Sequence, residues 1–437
     1  MDMSSLISFQ CTVLEPRSLY SRSGVTYVLS VQEGCFANFS YPEAWEDEDN
    51  GKDPDFWRGE DVFTLVGSNR ERHSRLSMII SYRFSAQAMV DQQYIFQKYA
   101  SLLLDKLHKA CALDPPFRCL DEMRYHPWVK LIFMYTKGIA ISTAIIRFPF
   151  ANTLIQLMTQ YPVHRDMEAH HDFTVAQVAE RMAHKNPRPD FIEPMIRAHE
   201  ENEVTMTEIH ANAHNLIVGG SEKTATRLSD VTYLLATHRD NLQKVYEELK
   251  ATFKHEDEIK VVSLNKLEYM FAVLHKGLRI SPAVPGMIPR KTPPEGIQIG
   301  REFVPGNFCI PTIVGVWQYP MFHNRNYFRD PELFVRKQWT GNERYQNDRR
   351  QACQPFAVRP LNCIGKKQVK ILLKHVSSTI NLADAEVRLV MARLVWNFDL
   401  EIDPQSKHWM EQNRVHFLWQ KPELFIRLIP RKWETMV

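Results

Sequence analysis

From Ser85 to about Lys254 the apolar residues recur at helical spacing, and at Ser281-Pro-Ala-Val-Pro that texture stops. The change divides the chain into a helical body and a late region that cannot be helical. Ala88, Val90, Ile95, Phe96, Tyr99, Leu102, Leu103 and Leu107 predict one long helix over Ser85 to Ala112, ended by Asp114-Pro-Pro. Thr205-x-x-Glu208 reads as a capping box opening a helix through Leu216. Ser263 to Ile280 reads as another helix. Residues 281–355 are rich in Pro and Gly, and runs such as Ile297-Gln-Ile and Phe308-Cys-Ile predict short strands and turns. Leu382 to Phe398 predicts an amphipathic helix. The tail, with Val415-His-Phe-Leu-Trp and Leu424-Phe-Ile-Arg-Leu-Ile, predicts a terminal hairpin.

Composition excludes several classes of function. A net charge of +3 over 437 residues, with basic side chains scattered among acids, gives no nucleic-acid footprint. Seven cysteines (Cys11, Cys35, Cys111, Cys119, Cys309, Cys353, Cys363), with no CxxC pair, argue against a disulfide framework and for a reducing compartment. No apolar run reaches the roughly 18 residues a membrane span needs. The N-terminus lacks a signal-like apolar core, so residues 1–35 are expected to be irregular and without an anchor. Leu131 to Met158 is interrupted by Lys137, Arg147 and Pro149, which predicts a pair of core helices rather than a span. A helical tip touching a membrane surface is the other reading of that stretch.

The stretch Phe356-Ala-Val-Arg-Pro-Leu-Asn-Cys-Ile-Gly365 carries the most chemistry. It places Cys363 between a turn-prone Pro-Leu-Asn and a glycine, ahead of an expected helix. A helix N-terminus would help ionise the thiol, and a thiolate binds a soft metal centre. Gly365 would let a flat group approach the backbone. A lone cysteine is more often an inert buried thiol, so the reading needs company. Three further stretches provide it: Gly219-Gly-Ser-Glu-Lys-Thr-Ala-Thr226, Lys276-Gly-Leu-Arg279 and Pro285-Gly-Met-Ile-Pro-Arg290.

In this order the stretches resemble the motifs of the cytochrome P-450 family, and most closely its fungal secondary-metabolism members. The family's cysteine pattern is Phe-x-x-Gly-x-Arg-x-Cys-x-Gly; Phe356, Cys363 and Gly365 match it, while Arg359 and Leu361 replace its glycine and arginine. The resemblance implies a mainly α fold with small β-sheets, in a single domain over residues 36–437. It implies haem with Cys363 as the axial ligand of the iron, and Phe356 and Gly365 in the haem loop. Glu222 and Thr224 would relay protons, with Lys223 at the position of the family's alcohol. Thr224 is displaced by one residue, roughly 100° around a helix. Arg290 and His73 would contact haem propionates, with Ser77 in place of a second basic residue.

The implied activity is a haem-thiolate monooxygenase that oxidises a small hydrophobic metabolite with electrons from an NADPH-dependent reductase. The expected setting is the cytoplasm or the cytoplasmic face of the endoplasmic reticulum. Several departures support an alternative, a catalytically impaired or non-catalytic relative that binds haem or another ligand. Lys276 stands where the family has a glutamate paired with Arg279, and Gln338 where a second arginine is expected. Losing one partner of a buried pair costs about 3–5 kcal/mol. Arg359 at a left-handed turn would cost about 1–2 kcal/mol. By the same comparison about 14 residues, Lys367 to Ile380, are extra. They read either as the product of a degenerating gene or as a looped-out surface helix.

Overall fold

The computed structural model describes Phe56 and residues 62–112, 171–183, 190–286, 289–299, 302–306, 312–334, 342–357, 363–366, 369–373, 376–380 and 382–431. The helices expected within 131–158, the strand at 308–310, and positions 338, 359 and 361 lie outside them. Two compact units emerge: Met1–Asp53 with Met287–Trp317, and Pro54–Gly286 with Gln318–Val437.

The larger unit is helical. Its helices are α1 (Arg70–Ser81), α2 (Ala86–Ala112), α3 (171–183), α4 (Glu193–Glu200), α5 (Met206–Thr237), α6 (Arg239–Thr252), α7 (Glu268–Ile280), α8 (Gln318–Phe322) and α9 (Leu382–Asn397). Among the described residues no helix is long and apolar enough to cross a membrane. The expected capping box is present: the Glu208 N–H donates to Thr205 Oγ1 at 3.2 Å and the Thr205 N–H to Glu208 Oε2 at 3.0 Å. The helix it opens runs past Leu216 to Thr237. The helix expected over Ser263 to Ile280 is split into a 3-10 turn, Ser263–Lys266, and α7. The cause is Glu248 of α6, whose carboxylate accepts from the N–H groups of Tyr269 and Met270 at 2.6 and 2.8 Å. A carboxylate there satisfies orphan donors and complements the dipole of α7.

Two apolar clusters hold this unit. One joins Leu234 and Leu235 of α5, Leu242 and Val245 of α6, Met270 and Leu274 of α7, and Val387 and Val395 of α9. The other joins Leu76 and Ile80 of α1, Val178 of α3, Met195 of α4, and Ile209 and Ala213 of α5. The expected amphipathic face of α9 is corrected. From Asp384 to Asn397 every residue except Glu386 and Val390 is buried. Its charged side chains are satisfied across helices instead: Asp384 by Arg227, Arg388 by Asn265 Oδ1 at 3.3 Å, and Arg393 by Ser101 Oγ at 2.8 Å. Burying such groups is tolerable because each head finds a partner.

The sheets are two-stranded and antiparallel. In the larger unit β5 (Val369–Leu373) pairs with β6 (Val376–Ile380), β7 (Phe398–Ile402) with β10 (Ile426–Pro430), and β8 (Arg414–His416) with β9 (Leu418–Gln420). The single terminal hairpin expected from the tail is thus two structures. β8 and β9 pair with each other, and β10 returns to β7, the strand that follows α9. The smaller unit carries β1 (Arg290–Lys291) against β4 (Ile313–Val314) and β2 (Ile297–Ile299) against β3 (Glu302–Val304). Gly296, with φ 85°, makes the turn into β2, where a Cβ would lie 2.8 Å from the Val304 carbonyl.

Candidate active site

Cys363 stands at the head of a single 3-10 turn, Ile364–Lys366. The long helix expected after it does not follow: the chain enters β5, and α9 begins only at Leu382. The extra segment is therefore a hairpin, not a surface helix. Its runs Val-Lys-Ile-Leu-Leu and Val-Ser-Ser-Thr-Ile are rich in β-branched residues, which favour strand over helix. The loop before Cys363 is closed by its own N–H, which donates to the Phe356 carbonyl at 2.9 Å. Ala357 takes the left-handed conformation there, with φ 58°. The Cys363 thiol is free and exposed. A Cβ built on Gly365 would stand 3.6 Å from its Sγ, so the glycine keeps one side of the sulfur clear. Ile364 packs on the apolar cluster that also receives Leu216 of α5.

The helix α5 continues through Gly219 and Gly220 without a turn. A Cβ on either glycine would meet nothing within 4 Å. The pair therefore leaves a bare stretch of helix surface, which a flat group can approach. One turn on, Glu222 is buried and held by Lys421, whose Nζ donates to Oε1 at 2.9 Å. Thr226 Oγ1 also donates to Oε1, at 3.0 Å, and accepts from Lys421. Thr224 is elsewhere. Its hydroxyl lies 3.5 Å from Glu386 Oε2 at the start of α9. Two residues turn a helix by about 200°, so Glu222 and Thr224 face apart. The structure joins Glu222 to Thr226 instead. Thr226 is legible at i+4 from the acid; Lys421, 199 residues away from it, carries no signal in the sequence.

Lys276 and Arg279 are both wholly buried on α7, at 0 % exposure. Arg279 donates to the carbonyls of Phe322 and Pro331 and stacks on Phe328 with its Cζ 5.2 Å from the ring centre. Burial, then the neighbouring Arg279, pushes the Lys276 amine down to about 6. The two like charges expected on this face thus reduce to one at neutral pH. Cys353 is also free, and burial pushes its thiol up to about 12, which leaves it inert as a ligand.

His73 lies in the first turn of α1, and its Nδ1 is 2.8 Å from the Leu65 carbonyl. Arg290 opens β1 in the smaller unit, in register with Val314, and burial lowers its guanidinium to about 10.

An exposed soft thiol in a closed loop, a glycine beside the sulfur and a bare helix surface at Gly219–Gly220 fit a haem. The comparisons with known proteins agree. The Cytochrome P450 family profile matches residues 111–428. Cytochrome P450 monooxygenase astA of Talaromyces wortmannii is 33% identical, over 96% of this chain and 87% of its own. Trichothecene C-15 hydroxylase of Fusarium sporotrichioides is 33% identical over 90% and 84%. Cytochrome P450 monooxygenase aclL of Aspergillus oryzae is 34% identical over the same shares. The chain belongs to the cytochrome P450 family, and is a haem-thiolate monooxygenase with a mainly α fold.

Proposed function

We propose that Cys363 is the axial ligand of the haem iron in a monooxygenase that oxidises a small hydrophobic secondary metabolite, with electrons from an NADPH-dependent reductase. The observation that carries the assignment is the exposed Cys363 thiol, in a loop tied by its own N–H to the Phe356 carbonyl with Gly365 beside the sulfur. When bound, haem supplies dioxygen activation, and a thiolate ligand favours O–O cleavage. The chain's own residues do the rest. Gly219 and Gly220 leave room along α5. Glu222, held by Lys421 and Thr226, keeps an acid in place one turn away. Arg290 and His73 are candidates for the propionates. The fungal relatives support the choice of substrate class.

The test is the absorbance of the haem-loaded protein in its ferrous–CO form. The wild type is expected to give the thiolate-type Soret band, Cys363→Ser to lose it, and Cys353→Ser to keep it. A band unchanged in Cys363→Ser removes this residue from the mechanism.

A further inference from the structure

Gly219, Glu222 and Thr226 stand at i, i+3 and i+7 on α5, so the three lie on one stripe of the helix, and the acid shares the face that the glycine leaves bare. A cation from the far end of the chain closes on that stripe. Lys421 Nζ donates to Glu222 Oε1 at 2.9 Å and to the Thr226 hydroxyl, which itself donates to Oε1 at 3.0 Å. The lysine and glutamate side chains are only 9 % and 5 % exposed. Among the described residues both bonds to the carboxylate fall on Oε1 and none on Oε2. One carboxyl oxygen is thus anchored and the other is left open.

The ammonium is itself held from both sides. Two residues before it, the Trp419 indole donates to the Pro282 carbonyl at 2.8 Å; one residue after it, the Pro422 carbonyl accepts from the Trp409 indole at 2.8 Å. Trp409 is buried in the apolar cluster that α5 shares with α6, α7 and α9, with its ring centre 5.5 Å from that of Tyr233 on α5. The segment that carries Lys421 is therefore fastened to the same helix that carries Glu222. A glutamate side chain turns about several bonds, and a carboxylate without an anchor spreads over several rotamers. An anchor that is itself locked by packing fixes such a group before any reaction begins.

We propose that Lys421 is a positioning residue for the monooxygenase reaction: it clamps Oε1 of Glu222, so that proton relay runs through Oε2 alone. The inference rests on the assignment of Glu222 as the relay acid. The carboxylate takes one proton at Oε2 and gives one up, so one O–H bond forms and then breaks. Lys421 keeps its three N–H bonds throughout, and the ion pair ends as it began. The clamp needs a charged donor of this reach. Arginine supplies one, and methionine, of similar length, does not.

The test is reductase-driven dioxygen uptake by the haem-loaded full chain, at saturating NADPH and varied dioxygen, with the ferrous–CO spectrum and the solvent deuterium isotope effect recorded for each variant. Lys421→Met is expected to keep the ferrous–CO band and the KM for dioxygen, to lower kcat about tenfold and to raise the isotope effect. Lys421→Arg is expected to restore most of kcat. Glu222→Gln is expected to be slow as well, and Lys421→Met added to it to lower kcat no further, because the lysine acts only through that carboxyl. If Lys421→Met alone fails to fold, the double variant, in which both charges are gone, decides together with Thr226→Val, which is expected to lower kcat about threefold. A Lys421→Met protein with wild-type kcat and isotope effect overturns the inference, as does a further loss in the Glu222→Gln background. Glu222→Gln with wild-type uptake fails the relay assignment instead, and a wild type without the ferrous–CO band fails the haem assignment.

Discussion

Lys276 and Arg279 lie buried one helical turn apart on α7, and at neutral pH only the arginine is charged. Desolvation has converted what would be two like charges into an amine beside a guanidinium. The guanidinium keeps its own carbonyl partners at Phe322 and Pro331. The family's usual acid is thus replaced without a second buried cation.

The replacement predicts an alkaline dependence of stability. The Lys276 pKa falls from 10.5 in the unfolded chain to about 6 in the fold, so between those values the unfolded chain binds the extra proton. Stability therefore rises with pH across that window, by at most about 1.4 kcal/mol per unit, and the dependence fades below about 6. Lys276→Met is expected to flatten this slope and to stabilise the protein at pH 7 by about 2–4 kcal/mol. Urea unfolding at several pH values measures it; an unchanged slope would place the amine in water.

Asp384 predicts a dependence of the same sign at the acid end. Burial would raise its carboxyl, but Arg227, with His275 and Arg388 behind it, holds it down to about 2. A carboxyl lowered on folding stabilises the fold above its unfolded pKa of 3.8, and that contribution is lost as pH falls toward 2. Its size is about 2 kcal/mol. Asp384→Asn leaves Arg227 buried without its anion and is expected to cost about 3–5 kcal/mol by chemical denaturation.

Ala357 adopts φ 58°, where a side chain is strained and glycine is not. Ala357→Gly is expected to gain about 0.5–1 kcal/mol, the relief of strain outweighing the looser unfolded chain. Calorimetry that finds a lower melting temperature would contradict it.

Gly219 separates stability from function. A methyl group there meets nothing within 4 Å, so Gly219→Ala is expected to stabilise α5 by about 1 kcal/mol. The same methyl would stand on the bare face of the helix, and haem affinity is expected to fall. Titration of the unloaded protein with haem tests this; equal affinity would mean the porphyrin does not rest on that face.

Local signals in the sequence located much of this. The capping box at Thr205 and Glu208 and the apolar period of α2 are short-range patterns, and both elements form where expected. The order of the cysteine, glycine-pair and arginine stretches pointed to the family. What could not be read was set by distant partners. Glu248 splits the helix before α7 from 20 residues upstream of Glu268, the first residue of that helix. The charges along α9 looked like a wet face because Arg227, Asn265 and Ser101 are far away in sequence. Lys421 reaches Glu222 from the far end of the chain, and no spacing rule foretells it.

The hairpin after Cys363 returns to where it began, because Val369 lies opposite Ile380. Strands paired directly across from each other are only about 5 Å apart, so the arm adds length without adding separation between the thiol's turn and α9. That makes it a natural splice point. A reporter peptide inserted between β5 and β6 would lengthen the arm while leaving both ends of the join where they are.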